Sequence, residues 1–378
     1  MTLQPIVNPF VPGWGQVPPH LAGREVEKRA LKGLLAYLRA GRGSPRGVVL
    51  SGPRGNGKTV LMRWFMAEVE ASAEGLDPVW LTPSGARSLD DLATVLVPPR
   101  RFRSLRPRKL SFSIGIGRLG WELGDRPSSL TQLLVERCQQ RPLVLLLDEA
   151  HTLTKEVGQA LLNASQMVSA EAPFLLVMAG TPGLQAHLNA MSATFWTRGE
   201  KIGVGLLDES AAAEALTRPF AEYGSPTTFD DGALREVVAE SQSYPYFLQL
   251  FGAALWEAAH ERGATKIDAA LVAQAKVRFG VERSAYYEGR RDELKRGGLL
   301  GVAAHLAQTF RNKAHFREHE LDAAIAAEPL SEGSSRDADE CRDGLADLGY
   351  VWKAPGDEDR WRPGIPSLMT YVLDHAGR

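Results

Sequence analysis

The chain has 378 residues, of which 44% are hydrophobic and 24% charged, and its formal net charge is −1. This composition is typical of a folded soluble protein of two or three domains, and it gives no global attraction to nucleic acid. Two cysteines exclude a disulfide framework and a cysteine-based zinc site. Because signal-peptide features and long apolar runs are lacking, we expect a cytoplasmic protein without membrane contact.

The N-terminal residues 1–20 are rich in proline, which favours an extended arm over a helix. A helix is then expected from about residue 25 to about Leu38. Its apolar positions predict one buried face, formed by Val26, Ala30, Leu34 and Leu38.

The strongest pattern, G-x-x-x-x-G-K-T, runs from Gly52 to Thr59. An apolar run at 48–50 precedes it as a buried strand, and apolar residues at helical spacing follow it. A glycine-rich loop between a strand and a helix is the context in which this motif binds nucleotide phosphates. The expected nucleotide-binding residues are Gly52, Pro53, Arg54, Gly55, Asn56, Gly57, Lys58, Thr59 and Val60.

The chemistry of this loop follows from its residue types. Glycines lack the Cβ that would keep backbone N–H groups away from a phosphate, and the helix N-terminus adds positive charge beneath the anion. Lys58 is expected to reach the β- and γ-phosphates of ATP as a catalytic residue, and Thr59 to ligate Mg²⁺.

Residues 98–126 carry eight lysines or arginines against two acids, and their second half alternates apolar and polar positions. We interpret the segment as an inserted basic hairpin that turns near Gly117 and Arg118. Two functions remain open, contact with DNA or another polyanion and pairing with acidic faces of the same chain. The candidate DNA contacts are Arg100, Arg101, Arg103, Arg106, Arg108 and Lys109.

Five apolar residues at 143–147 are followed by Asp148 and Glu149. This pattern predicts a buried parallel strand with carboxylates at its C-terminal end. Asp148 would hold Mg²⁺ directly or through water, and Glu149 would polarise the attacking water as the catalytic general base. A structural role is favoured for His151.

Two further residues are candidates for catalysis. Thr181 follows the apolar strand at 174–180, where its hydroxyl could reach the water or the γ-phosphate, or could simply close the strand in a Thr-Pro turn. Arg198 could act as an arginine finger, in cis or from a neighbouring subunit, or form a surface ion pair.

From residue 207 the periodicity becomes helical, and four helices are expected before residue 297. The remainder reads as three helices, a two-stranded ribbon and a last helix, the order of a winged-helix domain. This part has nine basic and fourteen acidic residues, and its third helix is acidic. Since phosphates would repel that helix, a protein contact or self-docking is favoured over DNA binding.

The order of these patterns resembles bacterial AAA+/STAND-type ATPases of the archaeal-ATPase and origin-recognition lineage. The matching stretches are residues 8–13, 21–25, the phosphate loop, 147–151, 179–182, 243–247 and 363–368. The resemblance implies that Leu21, Gly23 and Arg24 line the adenine pocket and that Tyr244 and Pro245 approach the base or ribose. Ser243 lies where related lids often carry glycine, and its helix shows no arginine suited to a lid sensor.

The expected fold is an α/β P-loop NTPase with a parallel sheet, followed by a helical lid and a C-terminal winged-helix domain. The expected segments are an arm at 1–20, an ATPase core at 21–206 with the insertion at 98–126, the lid at 207–296 and the winged helix at 297–378. We expect ATP and Mg²⁺ as ligands and a slow or partner-stimulated ATPase.

The favoured function is an ATP-dependent switch that couples nucleotide state to domain rearrangement and to assembly with an unidentified protein partner or further copies of the chain. A nucleic-acid-binding ATPase of the transposition-helper or loader type is one alternative. A non-hydrolysing scaffold in a defence or signalling complex is the other.

Overall fold

The computed structural model describes residues 7–13, 15–72, 75–96, 114–115, 118–119, 121–123, 126–128, 130–191, 199–223, 227–311, 313–327, 337–357 and 359–375. Arg198 and the candidate DNA contacts between Arg100 and Lys109 lie outside these residues. The chain forms two compact units. The sheet unit contains Val26–Ser51 and Met62–Ile202, and the loop unit contains Met1–Glu25, Gly52–Leu61 and Gly203–Arg378. No helix in the described ranges is long and apolar enough to cross a membrane.

The sheet unit is built on five neighbouring strands in the order β2–β7–β8–β1–β9. The strands of this part of the chain are β1 (Val48–Ser51), β2 (Asp77–Leu81), β3 (Ile114–Gly115), β4 (Arg118–Leu119), β5 (Trp121–Leu123), β6 (Arg126–Ser128), β7 (Leu143–Leu147), β8 (Phe174–Gly180) and β9 (Glu200–Gly203). The pairs β2–β7, β7–β8 and β8–β1 are parallel. Every residue of β7 and β8 is buried, as expected for central strands of a parallel sheet covered on both faces.

Helices surround this sheet in sequence alternation with its strands. They are α1 (Glu25–Arg39), α2 (Lys58–Glu70), α3 (Leu89–Leu96), α4 (Leu130–Gln140), α5 (Lys155–Glu171) and α6 (Leu184–Ala190). The side chain of Thr154 caps α5 by accepting from the N–H of Val157. This alternation of strand and helix produces the layered α/β architecture that the sequence predicted.

The face that α1 buries differs from the predicted one. The helix buries Leu31, Leu35 and Leu38, whereas Val26 is 76% exposed. Both sets of residues recur at helical spacing, and leucines at i and i+4 form the larger apolar surface. The prediction of a face that includes Val26 was therefore wrong.

The predicted basic hairpin contains two short antiparallel pairs instead of one. Ile114 of β3 lies opposite Leu119 of β4, and Trp121 of β5 lies opposite Ser128 of β6.

The loop unit is mainly helical. Its elements are α7 (Glu209–Glu222), β10 (Thr228–Phe229), α8 (Asp231–Ser241), α9 (Pro245–Arg262), β11 (Lys266–Ile267), α10 (Ala269–Arg296), α11 (Leu300–Thr309), β12 (Phe316–Arg317), α12 (Glu318–Ala327), α13 (Ala338–Asp347), β13 (Val351–Trp352), β14 (Arg360–Pro363) and α14 (Leu368–Asp374). The carboxylates of Asp208, Asp268 and Asp337 cap α7, α10 and α13. The strands β12, β14 and β13 form a three-stranded sheet, so β12 adds a strand to the predicted two-stranded ribbon.

The core of the loop unit is rich in aromatic residues around α9. Phe251 of α9 stacks on Phe279 of α10 with ring centroids 4.5 Å apart. The N-terminal arm packs against the same helix, since Asn8 donates to the carbonyl of Ala253 at 3.2 Å. It also packs against α7, since Phe10 is buried and its ring centroid lies 5.5 Å from that of Phe220. A Cβ at Gly252 would lie 2.4 Å from the Phe10 ring, so the absence of a side chain at Gly252 lets the arm approach α9.

Candidate nucleotide-binding site

The phosphate loop leaves the end of β1 and leads into α2, which begins at Lys58. Gly55 and Gly57 have φ angles of +78° and +88°, which residues with a Cβ rarely adopt. An added Cβ at Gly57 would meet no atom within 4 Å, and the first turn of α2 has no acidic residue. The loop therefore offers open space and the positive end of a helix to an anion.

Lys58 is buried within this loop. Its ammonium donates to the carbonyl oxygens of Gly52 at 2.7 Å and Pro53 at 2.9 Å. These bonds stabilise the curvature of the loop and fix the charge of Lys58 close to its backbone. A phosphate bound by the loop would meet that charge at a defined place.

The loop also contains buried polar atoms without partners in the described chain. They are Nδ2 and Oδ1 of Asn56 and Nε of Arg54. Buried polar atoms are normally hydrogen-bonded, so these atoms leave hydrogen-bonding capacity for a ligand. Together with the open space at Gly57, they fit a loop that binds a polyanionic ligand.

The donors available for Mg²⁺ are also suitable. Thr59 supplies a hydroxyl in the first turn of α2, and Asp148 supplies a carboxylate that is 6% exposed. Hydroxyl and carboxylate oxygens are hard ligands of the kind that Mg²⁺ prefers. Each residue taken by itself thus fits the predicted metal by donor type, and a Mg²⁺ site that includes both stays a prediction.

Arg24 contacts the phosphate loop through its guanidinium. The side chain is buried, and Nη2 donates to the carbonyls of Asn56 at 3.1 Å and Gly205 at 2.6 Å. Arg24 thus links the loop to the segment that follows β9. The resemblance implied that Arg24 lines the adenine pocket, mainly through its backbone; in the structure its side chain holds the loop.

The neighbouring residues of that predicted pocket lie against α7. Gly23 has a φ angle of +63°, and a Cβ there would lie 2.3 Å from the Cβ of Ala211. Only glycine fits this approach. Leu21 is half-buried. Contact of Leu21 and Gly23 with adenine stays a prediction.

Tyr244 and Pro245 open α9, with Pro245 at its first position. The ring of Tyr244 is fully buried, and its hydroxyl donates to the carbonyl of Arg54 in the phosphate loop. A Cβ at Gly55 would lie 2.1 Å from that hydroxyl oxygen. Tyr244 therefore contacts the loop backbone directly, and its predicted contact with the base or ribose remains a prediction, as does that of Pro245.

A second hydroxyl supports Tyr244. The oxygen of Tyr286, on α10, lies 2.9 Å from that of Tyr244. Burial raises the pKa of both phenols above the usual range, so both remain protonated at neutral pH. Arg290 stacks over Tyr286 at 5.4 Å and pairs with Glu293 at 2.9 Å.

The C-terminal sheet also approaches the loop. A Cβ at Gly349 would lie 3.6 Å from the backbone nitrogen of Arg54, and one at Gly364 would lie 3.4 Å from Cγ of Pro53. Gly364 donates its N–H to the carbonyl of Tyr350 at 3.0 Å, so the two glycines are held together. Small residues at both positions bring this sheet close to Pro53 and Arg54.

In the sheet unit, Asp148 and Glu149 follow β7 as predicted from sequence. The N–H of Glu149 donates to Oδ1 of Asp148 at 3.0 Å. Glu149 has a φ angle of +53°, and its side chain is 50% exposed. Nε2 of His151 lies 3.5 Å from its carboxylate. A non-glycine residue in this left-handed conformation is strained, which is common where a side chain must be aimed at a ligand.

Thr181 follows β8 and is 1% exposed. The preceding Gly180 pairs with Ser51, the last residue of β1. The carbonyl of Thr181 accepts from Leu184 at the start of α6, as a strand-closing turn requires. Its sensor role stays a prediction, as do the roles of Asp148 and Glu149 in metal binding and hydrolysis.

Sequence reasoning missed Tyr286, Arg290 and Gly349, and it singled out the stretch 363–368 without predicting that Gly364 lies close to the loop. The tyrosine and the arginine lie late in a 28-residue helix, far along the chain from the loop. Neither belongs to a motif, and the glycines resemble ordinary turn residues. Only the positive φ of +73° at Gly349, expected for a glycine after a helix end, could have been anticipated.

Part of the chain matches a known protein family. Residues 20–177 match the family described as AAA ATPase domain. No curated protein sequence matches the chain. The matched residues include the phosphate loop, Asp148 and Glu149.

Solved structures are similar over nearly the whole chain. A Walker-type ATPase of Pyrococcus abyssi has a TM-score of 0.60 and 17% identity, with 94% of this chain and 96% of that chain covered. The ORC2 protein of Aeropyrum pernix has a TM-score of 0.56 and 15% identity, with 96% of this chain and 97% of that chain covered. Cdc6p of Pyrobaculum aerophilum has a TM-score of 0.50 and 16% identity, with 98% of each chain covered. Residues 20–177 are thus similar to AAA ATPase domains, and the chain shares the fold of these three proteins.

Proposed function

We propose that this protein binds ATP at its phosphate loop and acts as an AAA+/STAND-like switch. Nucleotide state would control the arrangement of a helical lid at 207–296 and a winged-helix domain at 297–378. One observation carries the proposal: Arg24 and Tyr244 donate hydrogen bonds to the loop backbone, and Gly349 and Gly364 lie close to Arg54 and Pro53 of the loop. These residues come from the N-terminal, middle and C-terminal parts of the loop unit. A ligand that alters the loop would therefore affect all of them.

The loop residues would divide the work of binding. Lys58 would bind the β- and γ-phosphates, and the N–H groups at the start of α2 would donate to phosphate oxygens. Thr59 and Asp148 would hold Mg²⁺, which when bound neutralises phosphate charge. Glu149 would orient and polarise the attacking water.

A bound ligand shifts a conformational equilibrium only by its difference in affinity for the two states. The contacts of Tyr244 and Gly349 with the loop supply a basis for such a difference, because they are compatible with only some loop conformations. The structure of Aeropyrum pernix ORC2 in ADPNP–ADP complexes supports nucleotide binding on this fold.

The C-terminal domain favours a protein partner or self-docking. The arginine of its acidic helix α13, Arg342, pairs with Asp322 and Asp339 at 2.6 Å. The guanidinium of Arg342 is thus engaged in ion pairs within the domain. The exposed side of this helix would repel DNA phosphates and would suit a basic protein surface.

The test is nucleotide binding and ATP turnover by the full chain, with and without DNA. We expect saturable ATP binding with slow turnover that is indifferent to DNA. The variant Lys58→Ala should lose binding while keeping its fold, as judged by circular dichroism. Equal ATP binding by the variant and the native chain would overturn the proposal.

The charge of residues 98–126 favours a second candidate, a nucleic-acid-binding ATPase. Eight basic residues against two acids would neutralise several phosphates and release counterions. In that case DNA would stimulate turnover, and binding would weaken steeply with salt. Neutralising Arg100, Arg101, Arg103, Arg106 and Arg108 would remove both effects.

A further inference from the structure

The hydroxyl of Tyr244 has one proton, and the carbonyl oxygen of Arg54 can only accept a hydrogen bond. Tyr244 therefore donates to the loop. The 2.9 Å bond between the two tyrosine oxygens must then be donated by Tyr286. The bonds run in one direction, from α10 through α9 to the phosphate loop. Such chained hydrogen bonds strengthen one another in a low-dielectric interior.

The peptide between Arg54 and Gly55 is trans and planar. Its C=O and N–H groups point in opposite directions. Because the carbonyl of Arg54 faces Tyr244, the N–H of Gly55 faces away from Tyr244. Glycine has several backbone conformations open to it. The hydrogen bond from Tyr244 selects the one with φ +78° at Gly55.

Packing holds the two tyrosines in place. The ring of Tyr244 meets Phe247 edge-on at 4.7 Å, and Tyr286 lies against Tyr246 at 4.8 Å. Both phenols are largely enclosed, and their raised pKa keeps them as donors over the physiological pH range. The pair is therefore a rigid support for the loop peptide.

We propose that Tyr244, supported by Tyr286, is a positioning residue that directs the N–H of Gly55 toward a bound phosphate. This inference rests on the proposed nucleotide binding and adds to it a defined pair of residues. The pair acts through the backbone, so neither hydroxyl needs to touch the nucleotide.

The test compares four single variants that each remove one tyrosine hydroxyl. Tyr244→Phe and Tyr286→Phe interrupt the bonds to the loop. Tyr287→Phe is the matched control, because the neighbouring Tyr287 donates to the carbonyl of Pro366 at 2.8 Å. Tyr350→Phe is a second control, since this buried hydroxyl donates to Ala303 at 2.6 Å.

We expect Tyr244→Phe to weaken ATP and ADP binding about tenfold, the equivalent of one charge-assisted hydrogen bond. Tyr286→Phe should weaken it about threefold, because it acts only through Tyr244. Both controls should bind ATP and ADP within about twofold of the native chain, even if their thermal stability falls as much as that of Tyr244→Phe and Tyr286→Phe. Equal affinity losses in all four variants would show a general structural effect and overturn the proposal.

Two further measurements separate positioning from stability. Tyr286→Phe should have no additional effect in a Tyr244→Phe background, since its contribution passes through the missing hydroxyl. In protein with isotopically labelled glycine nitrogen, the Gly55 amide resonance should shift in Tyr286→Phe and stay in place in Tyr287→Phe. Additive losses, or an unmoved Gly55 signal, would refute the assignment.

The proposed function has a separate test. If Lys58→Ala binds nucleotide as well as the native chain, the nucleotide site itself is wrong. If Lys58→Ala loses binding while Tyr244→Phe binds normally, only the positioning role fails.

Discussion

The phosphate loop and the carboxyl end of β7 differ in how their functional groups are held. In the loop, the carbonyls of Gly52, Pro53, Arg54 and Asn56 each accept a bond from the buried side chain of Lys58, Tyr244 or Arg24. At the end of β7, Glu149 is strained and half-exposed, and in the described chain its carboxylate lies near only His151. The difference indicates that the loop is preorganised, whereas the carboxylate of Glu149, which we predict to be catalytic, still has to be oriented.

The largest difference in stability between the two units should appear at alkaline pH. Burial raises the pKa of Tyr244, Tyr286, Tyr287 and Tyr350, all in the loop unit. Above about pH 10 the unfolded chain loses phenolic protons that the folded unit keeps. The resulting stability is full below that pH and falls as pH rises, by about 1.4 kcal/mol near pH 11 for each of Tyr287 and Tyr350. The loop unit should therefore unfold first.

Limited proteolysis across this pH range, with cleavage sites mapped, would measure the order of unfolding. Replacement of Tyr287 or Tyr350 by phenylalanine should make the pH dependence less steep, because one fewer proton is released. Earlier cleavage within residues 130–191 of the sheet unit would contradict the prediction.

The next effect concerns hydrolysis. Glu149→Gln should reduce ATP turnover at least about a hundredfold, because the amide cannot act as a base. ATP affinity should stay within about twofold, because the contacts that hold the loop do not involve Glu149. Turnover and equilibrium binding, measured on the same preparation, would test this separation.

A normal turnover rate in Glu149→Gln would remove this residue from catalysis. A native chain without turnover that nevertheless needs Lys58 for its biological activity would instead favour the non-hydrolysing scaffold. Lys58→Ala serves as the control that loses binding and hydrolysis together.

Local patterns were sufficient to predict the phosphate loop and the buried strand that precedes Asp148. Each is a short apolar run followed by residues with few structural alternatives, so sequence neighbours define the geometry. The contact between Tyr286 and Tyr244 joins residues 42 positions apart. It depends on how α9 and α10 pack, and no local pattern encodes that packing. The buried face of α1 was mispredicted for a related reason, since two apolar stripes competed.

A matched pair of glycine substitutions would measure how closely Tyr244 packs against the loop. Gly55 and Gly57 both have positive φ angles, but only at Gly55 would a Cβ meet Tyr244, at 2.1 Å. Gly57→Ala should cost about 1–2 kcal/mol from backbone strain alone. Gly55→Ala should cost about 1–3 kcal/mol more, because the ring of Tyr244 must move.

Chemical denaturation of both variants would give the two costs. The additional cost at Gly55 should shrink when Tyr244 is replaced by alanine, which opens space beside the added methyl group. Equal destabilisation at both glycines would mean that Tyr244 does not pack against the loop in solution.

Strain at the start of α9 is the last difference that can be tested. Gln242 and Ser243 both have φ angles of +52°, next to Tyr244. Glycine adopts this conformation without steric cost, so it would be less strained than serine or glutamine at either position. The backbone of Ser243 accepts from the N–H of Leu207 and donates to the carbonyl of Val238, whereas the side chain of Gln242 donates to the hydroxyl of Ser367 at 2.6 Å.

Ser243→Gly should therefore stabilise the protein by about 0.5–1 kcal/mol, the strain relieved minus the entropy that glycine adds to the unfolded chain. Gln242→Gly is the matched control, since it relieves the same strain but loses the bond to Ser367, and it should give little or no gain. Thermal unfolding of the two variants would show a rise of about 1–3 °C for Ser243→Gly only. A larger gain in stability for Gln242→Gly than for Ser243→Gly would mean that the bond to Ser367 contributes nothing to stability. It would also mean that the approach of α9 to the phosphate loop does not depend on this turn.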